Sequence, residues 1–490
     1  MTRPTDAVRA RWAALGRPER LLVWLALATV AVKVVAYAGV AAGPVVGDEA
    51  YYFDAGRALS NAVRDLVWFR SPDTAELDRI AVSSGWFMPG MPVLLTPLYL
   101  FVPGAGTPLV RAYLGIVTSI VLLLTARRVR RTLGNAPAGA LLVYPGLVPT
   151  YAVFGTAGWG DSLAGLVVVL MMCRAIEMTR AWRDGRAVTW RDGALLGVYA
   201  ILAVYFRSSV SVLVVGMLGA TFVVSLVVAR RAVRWRVVGA YVVAGVAFLA
   251  LLAPWSVGAS VALDSRVLTT VSVPTVRANT FGDRDVLCFG ECDPGSSIWF
   301  SPLRFSREHA RAAGVSETVI ADEMSAYARR DITATSYARD VGINAGRYFV
   351  LPHRFATLLQ WHGSPVPIAA ISKVLTAPMF YGATLVMLAL LGAVTRRSFD
   401  TMLTLVLVKI GIVTLMVQPF VHIAGPRYWT TMAPLLGIGA ALLWTIRRQR
   451  RDDVPTAEAG TPAVRVLHVA QVAIGVLVVL VVATVGLLAV

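Results

Sequence analysis

The sequence is poor in charged residues, lysine and cysteine. Only 15% of its 490 residues are charged, whereas a soluble domain carries about 25%. Lysine occurs only as Lys33, Lys373 and Lys409, and three cysteines are too few for a zinc module of four thiolates. Because 57% of the residues are hydrophobic, the composition argues against an ordinary water-soluble protein.

The hydrophobic residues are concentrated in blocks that contain almost no charge. A helix of about 20 apolar residues crosses the ~30 Å hydrocarbon core of a bilayer, and a chain segment in that core is helical unless it belongs to a closed barrel. The sequence therefore predicts an all-α polytopic membrane protein with about eleven transmembrane helices. The predicted spans are 21–42, 108–126, 136–154, 161–179, 194–206, 209–229, 237–256, 366–394, 400–420, 429–446 and 464–488.

The basic residues lie between these blocks. A net charge of +18 would suggest nucleic-acid binding in a soluble protein. Here the arginine clusters at 3–20, 127–131, 230–236 and 447–451 fall in short gaps between spans, which the positive-inside rule places in the cytoplasm. We therefore expect membrane lipids and no nucleic acid as partners, and a multi-pass protein of the cell membrane with a cytoplasmic N-terminus. No small-residue cleavage site follows the first block, so we expect it to remain as a signal anchor.

This topology leaves two long polar segments on the exterior face, 43–107 and 257–365. Function is therefore expected on that face, because loops on a rigid scaffold often carry it. Residues 1–446 are predicted to form one transmembrane catalytic module. A basic cytoplasmic linker at 447–463 and a C-terminal transmembrane helix at 464–490 follow it.

The apolar block 87–102 does not fit a regular span. Pro89, Pro92 and Pro97 would interrupt a helix there, and a crossing at this point would move the 127–131 arginine cluster to the exterior. We predict an interfacial or re-entrant element.

Other residues give weaker signals. Cys288 and Cys292 share the second exterior segment and could form a disulfide or remain as two thiols. Lys33 and Lys409 lie inside predicted spans, where a charge is functional by default unless a carboxylate or carbonyl pairs with it. The five histidines show no metal-ligand spacing. Nothing in the sequence requires a cofactor, although a divalent metal is possible.

Two carboxylate sites are predicted at the exterior ends of spans. Asp48 and Glu49 follow the first span, and 50–63 continues as an amphipathic helix suited to the membrane interface. Asp161 opens the fourth span after a turn of small residues. Acids in these positions suit general-base chemistry, or alternatively Asp48 and Asp161 cap helix N-termini.

Two arginines on the exterior side are not explained by the positive-inside rule. Arg207 lies between the fifth and sixth spans, and Arg427 with Tyr428 begins the tenth. A guanidinium group suits two-point contact with phosphate. For Arg207 the alternative is a side chain that extends to the membrane surface.

The order of these features resembles the GT-C superfamily of membrane glycosyltransferases, in particular its protein O-mannosyltransferase and aminoarabinose transferase (family 39-like) branch. The resemblance spans residues 1 to about 446 and depends on the order of short motifs. These are Asp48-Glu49-Ala50-Tyr51-Tyr52, the proline-rich 87–92, Arg111 at the start of a helix that ends at Arg127-Arg128, Asp161, Arg207, Pro254-Trp255, and Arg427-Tyr428 followed by Pro434.

The resemblance implies a donor that carries its sugar on a polyprenyl phosphate, and inverting transfer to an acceptor. It implies Asp48 as the general base, Glu49 and Asp161 as further catalytic acids, and Arg207, Arg427 and Tyr428 as the phosphate site. Tyr51, Tyr52 and Trp86 are candidates for the acceptor side or the cavity wall. Since no soluble C-terminal domain and no insert of the kind found in eukaryotic O-mannosyltransferases is visible, a lipid or cell-wall glycan acceptor is at least as well supported as a protein. The alternative function is a transporter or flippase for a lipid-linked sugar.

Overall fold

The structure is a computed structural model that describes residues 13, 15–82, 85–270, 272–281, 288–291, 300–349, 363–421, 426–452 and 461–489. No β-strand occurs in these ranges, which confirms the predicted all-α class. We number the principal helices and leave the shortest turns unnumbered. They are α1 Arg17–Val40, α2 Asp48–Val67, α3 Gly90–Phe101, α4 Thr107–Leu133, α5 Asn135–Val143, α6 Pro149–Phe154, α7 Asp161–Arg183, α8 Trp190–Phe206, α9 Ser211–Val228, α10 Arg234–Ala262, α11 Ser272–Ala278, α12 Phe300–Ala313, α13 Glu317–Ala328, α14 Ala334–Phe349, α15 Val366–Gly392, α16 Phe399–Met416, α17 Trp429–Arg451 and α18 Pro462–Ala489.

Nine helices in the described part of the chain are long and apolar enough to cross a membrane. The other two of the eleven predicted spans are also helical but shorter. The third predicted span is divided into α5 and α6 by a turn at residues 144–147. The fifth corresponds to α8, whose 17 residues extend about 26 Å, a little less than the hydrocarbon core.

The proline-rich block 87–102 folds as α3, with 12 residues. At 1.5 Å per residue this helix is about 18 Å long and too short for a crossing. It packs along α2, where a Cβ on Gly56 would lie 2.9 Å from Cβ of Leu95. The hydroxyl of Tyr113 on α4 donates to the carbonyl of Leu94 at 2.9 Å. The element therefore forms a wall beside the first exterior helix, as expected for an interfacial or re-entrant segment.

Helices α7 and α17 occupy the centre of the bundle. Both are buried on all sides over most of their length, and they approach closely because a Cβ on Gly165 would lie 2.5 Å from the carbonyl oxygen of Thr431. A second close approach joins α17 to the turn after α5, where a Cβ on Gly437 would lie 2.1 Å from the Tyr144 carbonyl oxygen. The first of these contacts fixes the N-terminal parts of α7 and α17 relative to each other, and the second fixes α17 against the turn after α5.

The two lysines inside predicted spans both have partners. Nζ of Lys33 donates to Oγ1 of Thr118 at 3.0 Å. Nζ of Lys409 donates to the carbonyl oxygens of Leu391 and Gln471 at 2.9 and 2.8 Å. Lys409 thereby ties the C-terminal helix α18 to the bundle, which favours a structural role.

One end of the bundle carries a network of ion pairs that includes Arg128, from the arginine cluster at 127–131. Nε of Arg180 lies 2.9 Å from Oδ1 of Asp400, and Glu177 and Asp192 pair with Arg128 and Arg174. Asp161, the first residue of α7, and Arg180 are 19 residues apart on this helix, which corresponds to about 28 Å. The predicted exterior acids and the arginine clusters are therefore at opposite ends of the bundle.

Candidate active site

Four charged side chains that were predicted on the exterior face form one cluster. Nη2 of Arg427 donates to Oδ2 of Asp48 at 2.7 Å, and Nε of Arg427 lies 3.6 Å from Oδ2 of Asp161. On its other side, Asp161 has Oδ1 3.2 Å from Nε of Arg207. Two carboxylates and two guanidinium groups therefore alternate from Asp48 to Arg207, and their formal charges sum to zero. We call these four residues the charge cluster.

Asp48 begins α2 directly after a glycine turn. Gly47 has a φ of 60°, which glycine adopts without strain. Gly47 also occupies the N-cap position, and no side chain caps the helix, so the capping alternative for Asp48 is wrong. Oδ1 of Asp48 makes no hydrogen bond with any described residue, and 9% of the side chain is exposed. This oxygen is therefore available to accept a proton.

Glu49, the adjacent acid, has a separate set of partners. Arg111 donates to both carboxylate oxygens, with Nη2 2.8 Å from Oε2 and Nε 3.2 Å from Oε1. The backbone N–H groups of Val46 and Gly158 also donate to it, at 2.9 and 3.1 Å. Both charged side chains are fully buried. A carboxylate with this many donors is suited to holding the first turn of α2 in place.

Arg111 also holds the chain between α1 and α2. Its terminal nitrogens donate to the carbonyl oxygens of Val40, Gly43 at 2.9 Å and Pro44 at 2.7 Å. Three carbonyl groups and Glu49 thus share one buried guanidinium group, which fixes the turn that leads to Asp48. The sequence signal was an isolated arginine near the start of an apolar helix, where a charge needs partners.

A close backbone approach sets the Asp161–Arg207 pair. A Cβ on Gly160 would lie 2.3 Å from the carbonyl oxygen of Phe206, and these two residues directly precede Asp161 and Arg207. Gly160 is the N-cap residue of α7 and no side chain caps the helix, so the capping alternative for Asp161 is also wrong. Arg207 lies against a buried carboxylate with 13% of its side chain exposed, so its guanidinium group does not extend to the surface.

Aromatic rings enclose the charge cluster. Cζ of Arg207 lies 4.5 Å from the ring centre of Tyr428, and Cζ of Arg427 lies 5.1 Å from that of Trp159. Burial raises the pKa of the Tyr428 hydroxyl, although the two arginines oppose the shift. Tyr428 therefore remains neutral beside the cluster. Cation–π contacts of this kind hold both guanidinium groups in fixed planes.

Tyr348 also belongs to this enclosure, although no motif in the sequence indicates it. Its ring centre lies 6.4 Å from that of Tyr428, and its carbonyl accepts a hydrogen bond from Nε1 of Trp429 at 2.9 Å. Within the part of the chain that the structure describes, the buried Tyr348 hydroxyl has no hydrogen-bond partner. It comes from the end of α14, far from any motif, so only the fold brings it here.

The predicted acceptor-side residues divide into two places. Tyr52 is buried, and its pKa is raised by burial and by the charge of Asp48, which places it near the charge cluster. Tyr51 stacks on Phe87 with ring centres 4.4 Å apart and donates to the Ala81 carbonyl at 2.8 Å. Trp86 lies 4.2 Å from Cζ of Arg307 on α12. Trp86 therefore joins the two segments predicted to be exterior, 43–107 and 257–365.

No group of three His, Cys, Asp or Glu side chains that could hold a metal ion occurs within the described ranges. Cys292 lies outside the described residues, and so does the possible pairing with Cys288. The two carboxylates of the charge cluster are instead paired with guanidinium groups.

No protein-family model and no curated protein matches the chain. Two solved structures show a distant likeness. One is the archaeal oligosaccharyltransferase AglB from Archaeoglobus fulgidus, in complex with an inhibitory peptide and a dolichol-phosphate, with a TM-score of 0.46, 15% identity, and coverage of 96% of this chain and 55% of that one. The other is an Archaeoglobus fulgidus oligosaccharyltransferase in complex with Zn and sulfate, with a TM-score of 0.44, 15% identity, and coverage of 96% and 52%. The chain thus spans about half the length of each, and likeness at this level supports no assignment of function.

Proposed function

We propose that the protein is a glycosyltransferase that moves a sugar from a polyprenyl-phosphate donor to a lipid, cell-wall glycan or protein acceptor on the non-cytoplasmic face of the cell membrane. The observation that carries this proposal is the charge cluster. It combines a carboxylate that has a free oxygen with two arginines, at the end of the bundle opposite the cytoplasmic arginine network.

The arginines retain donors for a phosphate group. Neither Nη1 of Arg427 nor Nη2 of Arg207 donates to a described residue, and 30% of the Arg427 side chain is exposed. Charge-assisted bonds from guanidinium groups to phosphate are strong and directional. A polyprenyl tail can lie between the apolar helices while its phosphate contacts these nitrogens, so the donor needs no nucleotide-binding domain.

Asp48 and the two arginines account for the proton, the bonds and the charge of the transfer reaction. The acceptor hydroxyl transfers its proton to Oδ1 of Asp48 as its oxygen bonds to the anomeric carbon. The bond between that carbon and the phosphate oxygen breaks, and its electron pair stays on the phosphate. The lost carboxylate charge is replaced by the additional charge on the phosphate, beside Arg207 and Arg427. Attack opposite the leaving phosphate inverts the anomeric centre.

The remaining residues position this chemistry. Asp161 holds both arginines, and Glu49 with Arg111 fixes the turn before Asp48. Tyr428 orders Arg207 at the phosphate site. Tyr51 and Tyr52 form the wall on the acceptor side, together with Trp86 at the junction with α12. General-base catalysis at Asp48 requires no cofactor, and a divalent metal would compete with the arginines for the carboxylates.

The test is transfer by the purified protein in liposomes. The donors are undecaprenyl phosphates that carry labelled mannose, glucose or arabinose, and the acceptors are lipid and cell-wall glycan fractions. Release of free undecaprenyl phosphate together with a labelled product supports the proposal. If the label crosses the bilayer with every donor while the sugar–phosphate bond stays intact, the flippase alternative is correct and the proposal fails.

A further inference from the structure

A cavity lies in the second predicted exterior segment, 257–365, away from the charge cluster. It has a volume of about 250 Å³ and is lined by side chains from α11, α13 and the start of α14, among them Arg277, Phe281, Ser325, Arg329 and Tyr337. Helices α11, α12 and α13 pack against one another around a small apolar centre formed by Ala278, Met324 and Ala328. We call this cavity the Arg277 pocket.

The described lining of the Arg277 pocket carries two guanidinium groups and no carboxylate. Half-buried Arg277 makes no hydrogen bond or ion pair with a described residue. Arg329 is exposed at the rim of the pocket, and its Nε donates to the Ser325 carbonyl at 2.9 Å, which leaves its terminal nitrogens available. A partly buried cation is stabilised by an anion that reaches it, and two arginines suit a carboxylate or a phosphate.

Two aromatic rings form another wall of the pocket. The ring centres of Phe281 and Tyr337 are 4.9 Å apart with an angle of 41° between the rings. Tyr337 is held in place because its hydroxyl donates to the Phe420 carbonyl at 2.7 Å. A fixed aromatic wall beside guanidinium groups suits a ligand that has an apolar face and an acidic group, as a charged sugar ring has.

The pocket is connected to the charge cluster through α14. Tyr337 and Tyr348 are eleven residues apart on this helix, which corresponds to about 16 Å. Tyr348 lies beside Tyr428 of the enclosure. The Phe420 carbonyl, which accepts the hydrogen bond from the Tyr337 hydroxyl, lies seven residues before Arg427. An extended molecule could therefore place one group in the Arg277 pocket and a hydroxyl at Asp48.

We propose that the Arg277 pocket binds an anionic sugar of the acceptor, so that the acceptor is an extended glycan that carries carboxylate or phosphate groups. This inference rests on the proposed glycosyltransferase function. The cavity is smaller than the ~300 Å³ at the lower end of small-molecule sites, which suits one charged sugar. Its setting among polar exterior helices favours a carbohydrate over a lipid headgroup.

Binding is tested without turnover, on the full chain in phosphatidylcholine nanodiscs. Glucuronate and glucose 6-phosphate are titrated by ligand-observed NMR, with glucose as the uncharged control. We expect both anions to bind and Arg277→Gln or Arg329→Gln to weaken them about tenfold, as loss of a charge-assisted bond predicts. Arg277→Lys, which keeps the charge and the packing, should give an intermediate loss. Arg330→Gln, a neighbouring exposed arginine that stacks on Tyr327, and Asp48→Asn should bind as wild type does.

Three results would overturn this proposal. One is the absence of anion binding, or binding that Arg277→Gln leaves unchanged. Another is loss of binding in Arg427→Gln equal to that in Arg277→Gln, which would place the anion at the charge cluster. The third is displacement by phosphatidylglycerol added to the nanodisc, which would make the pocket a headgroup site. If anion binding follows the prediction while no donor is turned over, the proposed function fails and the anion site stands.

Discussion

Replacing Arg111 by methionine tests how the turn before Asp48 is held. The guanidinium group of Arg111 is the charged partner of the buried Glu49. Methionine keeps much of the apolar volume and removes the charge. The variant leaves the Glu49 carboxylate in the interior without its guanidinium partner, although the N–H groups of Val46 and Gly158 still donate to it.

The expected loss of stability is large. Removing one partner of a buried ion pair costs about 3–5 kcal/mol. The carbonyl groups of Gly43 and Pro44 lose their donor as well, at about 1–3 kcal/mol for each group that stays buried. Total stabilities are only about 5–15 kcal/mol. We therefore expect Arg111→Met to lose at least about 3–5 kcal/mol.

The assay is unfolding in mixed micelles with increasing dodecyl sulfate, followed by tryptophan fluorescence. Arg57→Met is the matched control, because Arg57 pairs with Asp54 on α2 while 47% and 59% of these two side chains are exposed. An exposed pair contributes about 0–1 kcal/mol. Adding Glu49→Gln to Arg111→Met removes the buried charge and should recover part of the loss.

Two outcomes would refute this reasoning. If Arg111→Met unfolds at the same detergent fraction as Arg57→Met, the buried pair does not hold the turn. If Glu49→Gln fails to recover any stability in the Arg111→Met background, the unpaired charge is not the cause of the loss.

Three further predictions concern the phosphate site, the backbone and the C-terminal helix. Arg427→Lys keeps the charge but loses the planar fork, so the KM for the donor should rise about tenfold, and an unchanged KM would remove Arg427 from the phosphate site. Gly160→Ala should lower the transfer rate because its Cβ would meet the Phe206 carbonyl at 2.3 Å. Gly239→Ala, which has open space around it, should not lower the rate. Equal rates for the two variants would contradict the close approach. Lys409→Met should lower the stability measured in dodecyl sulfate unfolding by about 1–3 kcal/mol and leave the transfer rate of the folded protein unchanged. A loss of rate without a loss of stability would contradict the structural role.

Much of the fold was predictable because a bilayer imposes strong constraints. Apolar length identified the long helices, and the arginine clusters ordered them so that Asp48, Asp161, Arg207 and Arg427 came to one end. Hydropathy could not show that α5 and α6 are separate, because the turn between them, at residues 144–147, lies inside a continuous apolar block.

The pairings within the site were not predictable. Asp48 and Arg427 are separated by 379 positions, and nothing in either motif shows which arginine contacts which carboxylate. Glu49 was predicted as catalytic together with Asp48 because the two are adjacent. Successive residues of a helix point about 100° apart, so Glu49 contacts Arg111 while Asp48 contacts Arg427. Tyr348 lies in a polar segment without a motif, and only tertiary packing places it beside Tyr428.

The central claim is that Asp48 accepts the proton of the acceptor. The most direct measurement is the initial rate of sugar transfer by Asp48→Asn, compared with Asp54→Asn as an exposed carboxylate on the same helix. Loss of a general base lowers rates by about 10²–10⁴. We predict a fall of that size for Asp48→Asn and a rate close to wild type for Asp54→Asn, with both rates expressed per folded protein. Transfer by Asp48→Asn at the wild-type rate would contradict the account.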